Sequence, residues 1–192
     1  DDLFEIQTMG FRGEAMASIA SISHVELETK LHDQELGTKI IIEGGKIIRK
    51  SDFNCSAGTS IKIKNIFYNI PARRKFLKSD NVEMRHIIEE FNRIALSNPE
   101  CKLQLIHNEK EILYYEKNNF RQRIVNVIGL KNNENLVPIK ESTSLVEIDG
   151  FICKPQYAKK TRGEQYIFVN KRYIKNYQIQ NAITKAFEGL IS

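Results

Sequence analysis

The chain has 192 residues, 41% of them hydrophobic and 28% charged, with a formal net charge of +5. That balance excludes an intrinsically disordered polymer and suits one large domain or two small ones with buried cores. No apolar run is long enough to span a bilayer and no secretory leader is visible. Cys55, Cys101 and Cys153 fit neither a disulfide framework nor a zinc pair, so reduced thiols in a cytoplasmic protein are expected.

In chain order, Ala15 to Ser23 reads as a short helix rich in small residues. His24 to Leu31 alternates Val25, Leu27 and Thr29 with Glu26, Glu28 and Lys30, the period-two pattern of a half-buried strand. The apolar runs 39–43 and 46–49 flank Gly44-Gly45, a hairpin signal. Ser60 to Asn65 sets Ile61 and Ile63 against Lys62 and Lys64, a strand with a wet, basic face. Close turns between successive strands imply an antiparallel or mixed sheet.

Asn81 to Leu96 carries Val82, Ile87, Ile88, Phe91, Ile94 and Ala95 at helical spacing, and Asn98-Pro99 ends it. Residues 103–106 and 112–114 suggest a hairpin around Asn108-Glu109, and 116–120 a domain boundary. Phe120 to Ile128 reads as a helix closed by Gly129. Strand-like runs follow at 145–153 and 165–169, then a helix over Tyr177 to Leu190.

The stretch with most chemistry in it is Gly10-Phe11-Arg12-Gly13-Glu14, which feeds the first helix. Glycines permit positive φ and close approach of the backbone, and a helix amino end offers free N–H groups to an anion. Arg12 adds a charge-assisted contact to phosphate, while Glu14 complements the helix amino end. Taken alone, such a motif is more often a glycine turn before an ordinary helix.

Three segments extend the pattern. Thr8 to Ser23 resembles the ATP-lid motif of the MutL family of DNA mismatch-repair proteins. The run 58–78, containing Gly58-Thr59 and Pro71-Ala72-Arg73-Arg74-Lys75-Phe76, is similar to that family's G-T strand and P-A-R-R-K-F segment. Gln165 to Ile174 resembles its V-N-G-R strand end, with Lys171 where glycine is usual. The three lie in the family's order.

This resemblance implies an α+β fold: an incomplete GHKL-type α/β sandwich over residues 1–118, then the start of a ribosomal-protein-like β-α-β transducer domain over 119–192. It implies ATP and Mg2+ as cofactors, with Gly10, Phe11, Arg12, Gly13 and Glu14 on the phosphates. Thr59 would lie on the adenine side. Arg73, Arg74, Lys75, Arg93, Arg172 and Lys175 would contact DNA without reading its sequence, and Lys159, Lys160 and Arg162 add to a second basic cluster. Tyr177 stands where some relatives carry Arg. The family's general-base Glu, Mg2+-ligating Asn, D-x-G-x-G adenine turn and N-V-H-P-x-K segment are not found in these residues, so this piece by itself is expected to be inactive and to hold no metal ligand.

The function implied is that of an ATP-hydrolysing clamp in a bacterial, nucleoid-associated cytoplasmic protein. It would dimerise, bind DNA and answer a MutS-type mismatch-recognition protein, with no membrane partner. The alternative is an ATP-independent DNA-binding or scaffold module of the same machinery. Phe67 and Tyr68 are expected to be core anchors, since stacking platforms need exposed aromatics interleaved with cations.

Overall fold

The computed structural model describes residues 10, 13–158 and 164–190, with the backbone alone for 130–132. The chain gathers into two compact units, one formed by Gly10–Glu83 and the other containing Met84–Ser192.

Alternation of apolar and polar residues builds the first unit. Helix α1 (Ala15–Ser21) is followed by four strands, β1 (His24–Lys30), β2 (Gly37–Glu43), β3 (Lys46–Phe53) and β4 (Gly58–Lys64). They form one antiparallel sheet in the order β3-β2-β1-β4. The register pairs Val25 with Ile42 and Ile63, and Leu27 with Ile40 and Ile61, which puts these residues on one face. Glu26, Glu28, Lys39 and Lys62 share the other.

Val25 is fully buried, while Ile61 and Ile63 stay exposed on the edge strand β4. Gly44 and Gly45, at φ 54° and 83°, form the tight turn between β2 and β3. This turn also closes α1, because the Gly45 amide donates to the Ala20 carbonyl at 2.8 Å.

The lysines of β4 do not form the free basic face that their alternation suggests. Glu26 accepts from Lys39 at 2.8 Å, Lys62 at 3.2 Å and Lys64 at 3.4 Å, and Lys39 also reaches Glu28 at 2.9 Å. Cross-strand pairing neutralises the cations.

After β4 the chain turns through Asn65 and Phe67, both at positive φ, and the Phe67 amide donates to Ile22 at 2.7 Å. The Tyr68 ring stands 4.3 Å from that of His24. Phe67 is half-buried and Tyr68 exposed, so neither is the full core anchor expected. The short helix α2 (Pro71–Arg74) opens on Pro71, whose fixed φ suits a first helical position.

Helix α3 (Asp80–Ser97) begins with Asp80 and Glu83, acids that favour a helix amino end, and the Lys78 amide donates to Glu83 Oε1 at 2.8 Å. The unit boundary falls inside this helix. In the second unit it is followed by the hairpin of β5 (Leu103–His107) and β6 (Lys110–Tyr115) and by α4 (Phe120–Ile128). Asn119 caps α4 by accepting from the Gln122 amide at 2.8 Å, and Gly129 at φ 110° ends it. A second hairpin pairs β7 (Leu136–Ser142) with β8 (Glu147–Cys153), and a third pairs β9 (Phe168–Val169) with β10 (Arg172–Tyr173) before α5 (Tyr177–Ala186).

Strand β8 starts at Glu147, because the Thr143 hydroxyl accepts from the amides of Leu145 and Val146 and fixes a turn there. Strand β7 contains Pro138, an unexpected residue in a strand, tolerated in a two-stranded ladder that leaves one edge unpaired.

The core of this unit centres on a charge. Arg123 is fully buried on α4, yet its guanidinium donates to four carbonyls: Ala95 at 3.0 Å, Pro99 at 3.0 Å, Cys101 at 2.7 Å and Glu116 at 2.8 Å. One planar cation thereby ties α4 to the end of α3, the 98–101 loop and the end of β6. Val125, Ala95, Leu96 and Tyr115 are buried in the same unit. The Tyr115 hydroxyl donates to Asn92 at 2.9 Å.

Candidate functional site

Of the expected phosphate-binding residues, Gly10, Gly13 and Glu14 are described, whereas Phe11 and Arg12 lie outside the described residues. Gly13 has φ 65°, a left-handed conformation that favours glycine. Among the described residues no atom lies within 4 Å of where a side chain would start on Gly10 or on Gly13. Glu14 stands at the start of α1 with its carbonyl accepting from Ser18 at 2.9 Å, and its side chain makes no capping bond. Gly13, exposed and left-handed just before a helix start, leaves room for an anion beside its own backbone.

Thr59 follows Gly58, which adopts φ 117° and redirects the chain into β4. Its hydroxyl hydrogen-bonds that of Thr29 at 2.8 Å across the β1–β4 ladder. Arg73 and Arg74 form the last turn of α2 and Lys75 follows; all three are exposed.

In the second unit the structure brings together residues that the sequence scatters. Arg93, Arg172 and Lys175 line a cleft of about 510 Å³, with Glu90, Ile94 and Ser97 of α3 on one wall and Phe168, Lys171 and Tyr173 of the β9–β10 hairpin on the other. Arg93 is buried. It pairs with Glu89 and Glu90 one turn away on its own helix, and its guanidinium packs 4.1 Å from the centre of the Tyr173 ring. Lys171 reaches Glu100 at 2.9 Å and holds that carboxyl below its usual range. Burial pushes the Tyr166 phenol up. Much of the positive charge here is thus met by nearby carboxylates.

Lys171 occupies the second turn position of this hairpin at φ 64°, next to Asn170 at φ 49°. Those are the dihedrals of a turn that favours Asn-Gly, so Lys171 takes a position that glycine fits best. Lys159, Lys160 and Arg162 lie outside the described residues. Among the described residues no cluster of three or more His, Cys, Asp or Glu side chains could hold a metal ion, and no helix is long and apolar enough to cross a membrane.

Sequence reasoning missed the Arg93–Tyr173 stack and the cleft around it. No local signal encodes it, because its two walls come from distant segments.

Residues 124–192 match the family model described as DNA mismatch repair protein, C-terminal domain. Over 191 residues the chain is 54% identical to a DNA mismatch repair protein MutL of Christiangramia forsetii and 53% identical to that of Flavobacterium psychrophilum. All of the chain is matched in both cases, but it spans only 31% of the length of each of these relatives. Among solved structures, the Aquifex aeolicus MutL ATPase domain complexed with ADP superposes with a TM-score of 0.73 at 26% identity, covering 96% of this chain and 69% of that one. The N-terminal domain of a DNA repair protein shares the fold with a TM-score of 0.78 at 21% identity, covering 99% of this chain and 62% of that one. The mixed α and β fold is that of the GHKL-type ATPase domain, with the ribosomal-protein-like fold in the segment that the family model matches.

Proposed function

This chain belongs to the MutL family of DNA mismatch-repair proteins, and on that premise we propose that it forms part of an ATP-dependent clamp coupling mismatch recognition to downstream repair. The observation that carries the reading is the match to MutL over the whole chain at 54% identity. Gly13 before α1 agrees with it, since it is left-handed and no described atom lies within 4 Å of where its side chain would start.

In this reading ATP, when bound, supplies a γ-phosphoryl group for transfer to water. The backbone amides of residues 10–13 hold its phosphates, with Arg12 beside them and Glu14 at the helix start. Thr59 supports the adenine side. Mg2+ accompanies the nucleotide and is ligated from outside these 192 residues, which by themselves do not turn ATP over.

In the first unit the exposed cations Arg73, Arg74 and Lys75 meet DNA phosphates, and in the second unit Arg172 and Lys175 of the cleft do so separately. Arg93, already buried against Tyr173, reaches DNA only by exchanging its carboxylate partners for phosphate. Residues 1–118 would belong to the ATPase part and 119–192 to the transducer part, a division that the start of the family match at residue 124 supports. The parent protein would work in the bacterial cytoplasm at the nucleoid as a homodimer, recruited by a MutS-type partner.

The test is ATP turnover by the full-length parent with Gly13→Val, which forces a branched side chain into a left-handed turn. We expect turnover to fall while the fold and DNA affinity are kept; unchanged turnover removes the turn from the nucleotide site. Turnover by the 192 residues alone would overturn their inactivity.

A further inference from the structure

A row of threonines crosses one end of the four-stranded sheet, where the register sets Thr29 of β1 opposite Thr38 of β2 on one side and Thr59 of β4 on the other. The row continues the face that carries Val25 and Leu27, because residues two apart on a strand share a face. Thr59 is exposed, and Thr29 and Thr38 are half-buried.

Thr29 Oγ1 and Thr59 Oγ1 hydrogen-bond at 2.8 Å. Among the described residues neither hydroxyl has another side-chain partner, and Thr38 takes no part in the bond. A cross-strand pair of threonines is first of all a sheet contact. Its placing gives it a second consequence, because Thr59 is the member that faces solvent at the opening of β4.

We propose that Thr29 is a positioning residue of the nucleotide site: its hydroxyl holds that of Thr59 in one orientation, which favours adenine over guanine. The proposal rests on the placing of Thr59 at the adenine side and adds a residue to it. A lone threonine hydroxyl rotates, offering a proton or a lone pair as its neighbour requires. Adenine carries an amine donor where guanine carries a carbonyl acceptor. A free hydroxyl would therefore serve either base, accepting from the amine or donating to the carbonyl. A hydroxyl pinned by a partner at 2.8 Å presents one polarity only. The wrong base then leaves a polar group unpaired, which is how such sites discriminate.

The experiment measures kcat and KM for ATP, the inhibition constant of GTP against it, and thermal melts, on the full-length parent and its variants. Thr29→Val matches the shape of threonine and suits a strand, so the melting temperature should be kept. Its KM for ATP should rise about threefold to tenfold, the worth of one hydrogen bond, with kcat and the inhibition constant of GTP unchanged. Thr29→Ser restores a hydroxyl and should keep both constants of the parent. Thr38→Val, in the same row but outside the bond, should change neither.

A raised KM for ATP in T59V with an unchanged one in T29V overturns the positioning role alone. Equal weakening of ATP and GTP in T29V, or a raised KM in T38V, also overturns it, by showing general damage to that end of the sheet. The double variant T29V/T59V should be no worse than T59V, since Thr29 acts through Thr59; additive losses again overturn it. If T59V leaves the KM for ATP unchanged, the adenine-side reading of Thr59 fails, and the proposal falls with it.

Discussion

The guanidinium of Arg93 on α3 lies 4.1 Å from the centre of the Tyr173 ring on β10. The contact fastens the β9–β10 hairpin to the long helix, and Glu89 and Glu90 compensate the buried charge from the turn below. A guanidinium can lie flat on a ring and still donate sideways to carboxylates, which an ammonium cannot do. A double-mutant cycle with Arg93→Met and Tyr173→Leu, read by urea unfolding, should therefore show coupling of about 1–2 kcal/mol. Arg93→Lys should recover less than half of it.

Arg123 should be the least replaceable cation of the second unit. Arg123→Met removes the donor from four carbonyls, that of Ala95 buried and those of Pro99, Cys101 and Glu116 part-buried. Each uncompensated buried acceptor costs roughly 1–3 kcal/mol, so a total loss above about 3 kcal/mol is expected. Arg123→Lys, which cannot reach all four, should lie between parent and R123M in chemical denaturation.

Glu26 predicts an acid-sensitive step in the first unit. Its hydrogen bond from Lys39, then that from Lys62, holds its carboxyl at about 2 against an ordinary 4.5, with a weaker contribution from Lys64 and an opposing one from desolvation. A carboxylate whose pKa is lower in the folded state contributes stability above the unfolded value and loses it as pH falls through the folded one. The contribution should thus be complete above pH 4.5 and fade toward pH 2. Carbon-detected NMR titration should place the Glu26 midpoint near 2, and Lys39→Met should move it upward.

Gly37 should reject even a methyl group. A Cβ there would lie 2.5 Å from the Thr29 carbonyl oxygen and 2.7 Å from Cys55 Sγ, and the first of these is backbone of the paired strand β1. Gly37→Ala should cost about 1–3 kcal/mol through displaced backbone. Gly58→Ala meets open space and should cost about 1 kcal/mol through its φ of 117° alone. Thermal melts of the two variants distinguish crowding from strain.

Salt dependence should identify which cations touch DNA. Each phosphate contact removed flattens the slope of log affinity against log salt by about 0.9 on duplex. Arg73→Ala and Lys75→Ala should each do so and weaken binding alike on different sequences. Arg93→Ala should change the slope little while lowering the melting temperature, because its charge is already met by carboxylates.

Much of the local structure was legible beforehand. Alternation placed β1 and β4, Gly44-Gly45 and Asn108-Glu109 placed two turns, and α4 runs from Phe120 to Ile128 with Gly129 as its stop, as expected. These features depend on neighbours a few residues apart. Strand β7 was not legible because Pro138 argues against a strand, and β10 because two residues carry no period. The basic face of β4 was misjudged for a related reason: Glu26 and Lys39 come to it from other strands.

By itself the sequence determined the lineage, through the glycine turn at 10–13, the Pro71–Phe76 run and the strand end near Asn170, and it determined the order of most helices and strands. Backbone preferences and side-chain alternation are local, so they can be read without a fold. Only the tertiary structure decided which charges are free to act. It buried Arg93 beneath Tyr173, enclosed Arg123 among four carbonyls and neutralised Lys62 and Lys64 against Glu26. It left Phe76 and the cations around it facing water. Charge availability is set by what packs against a side chain, and that partner is rarely its neighbour in the chain.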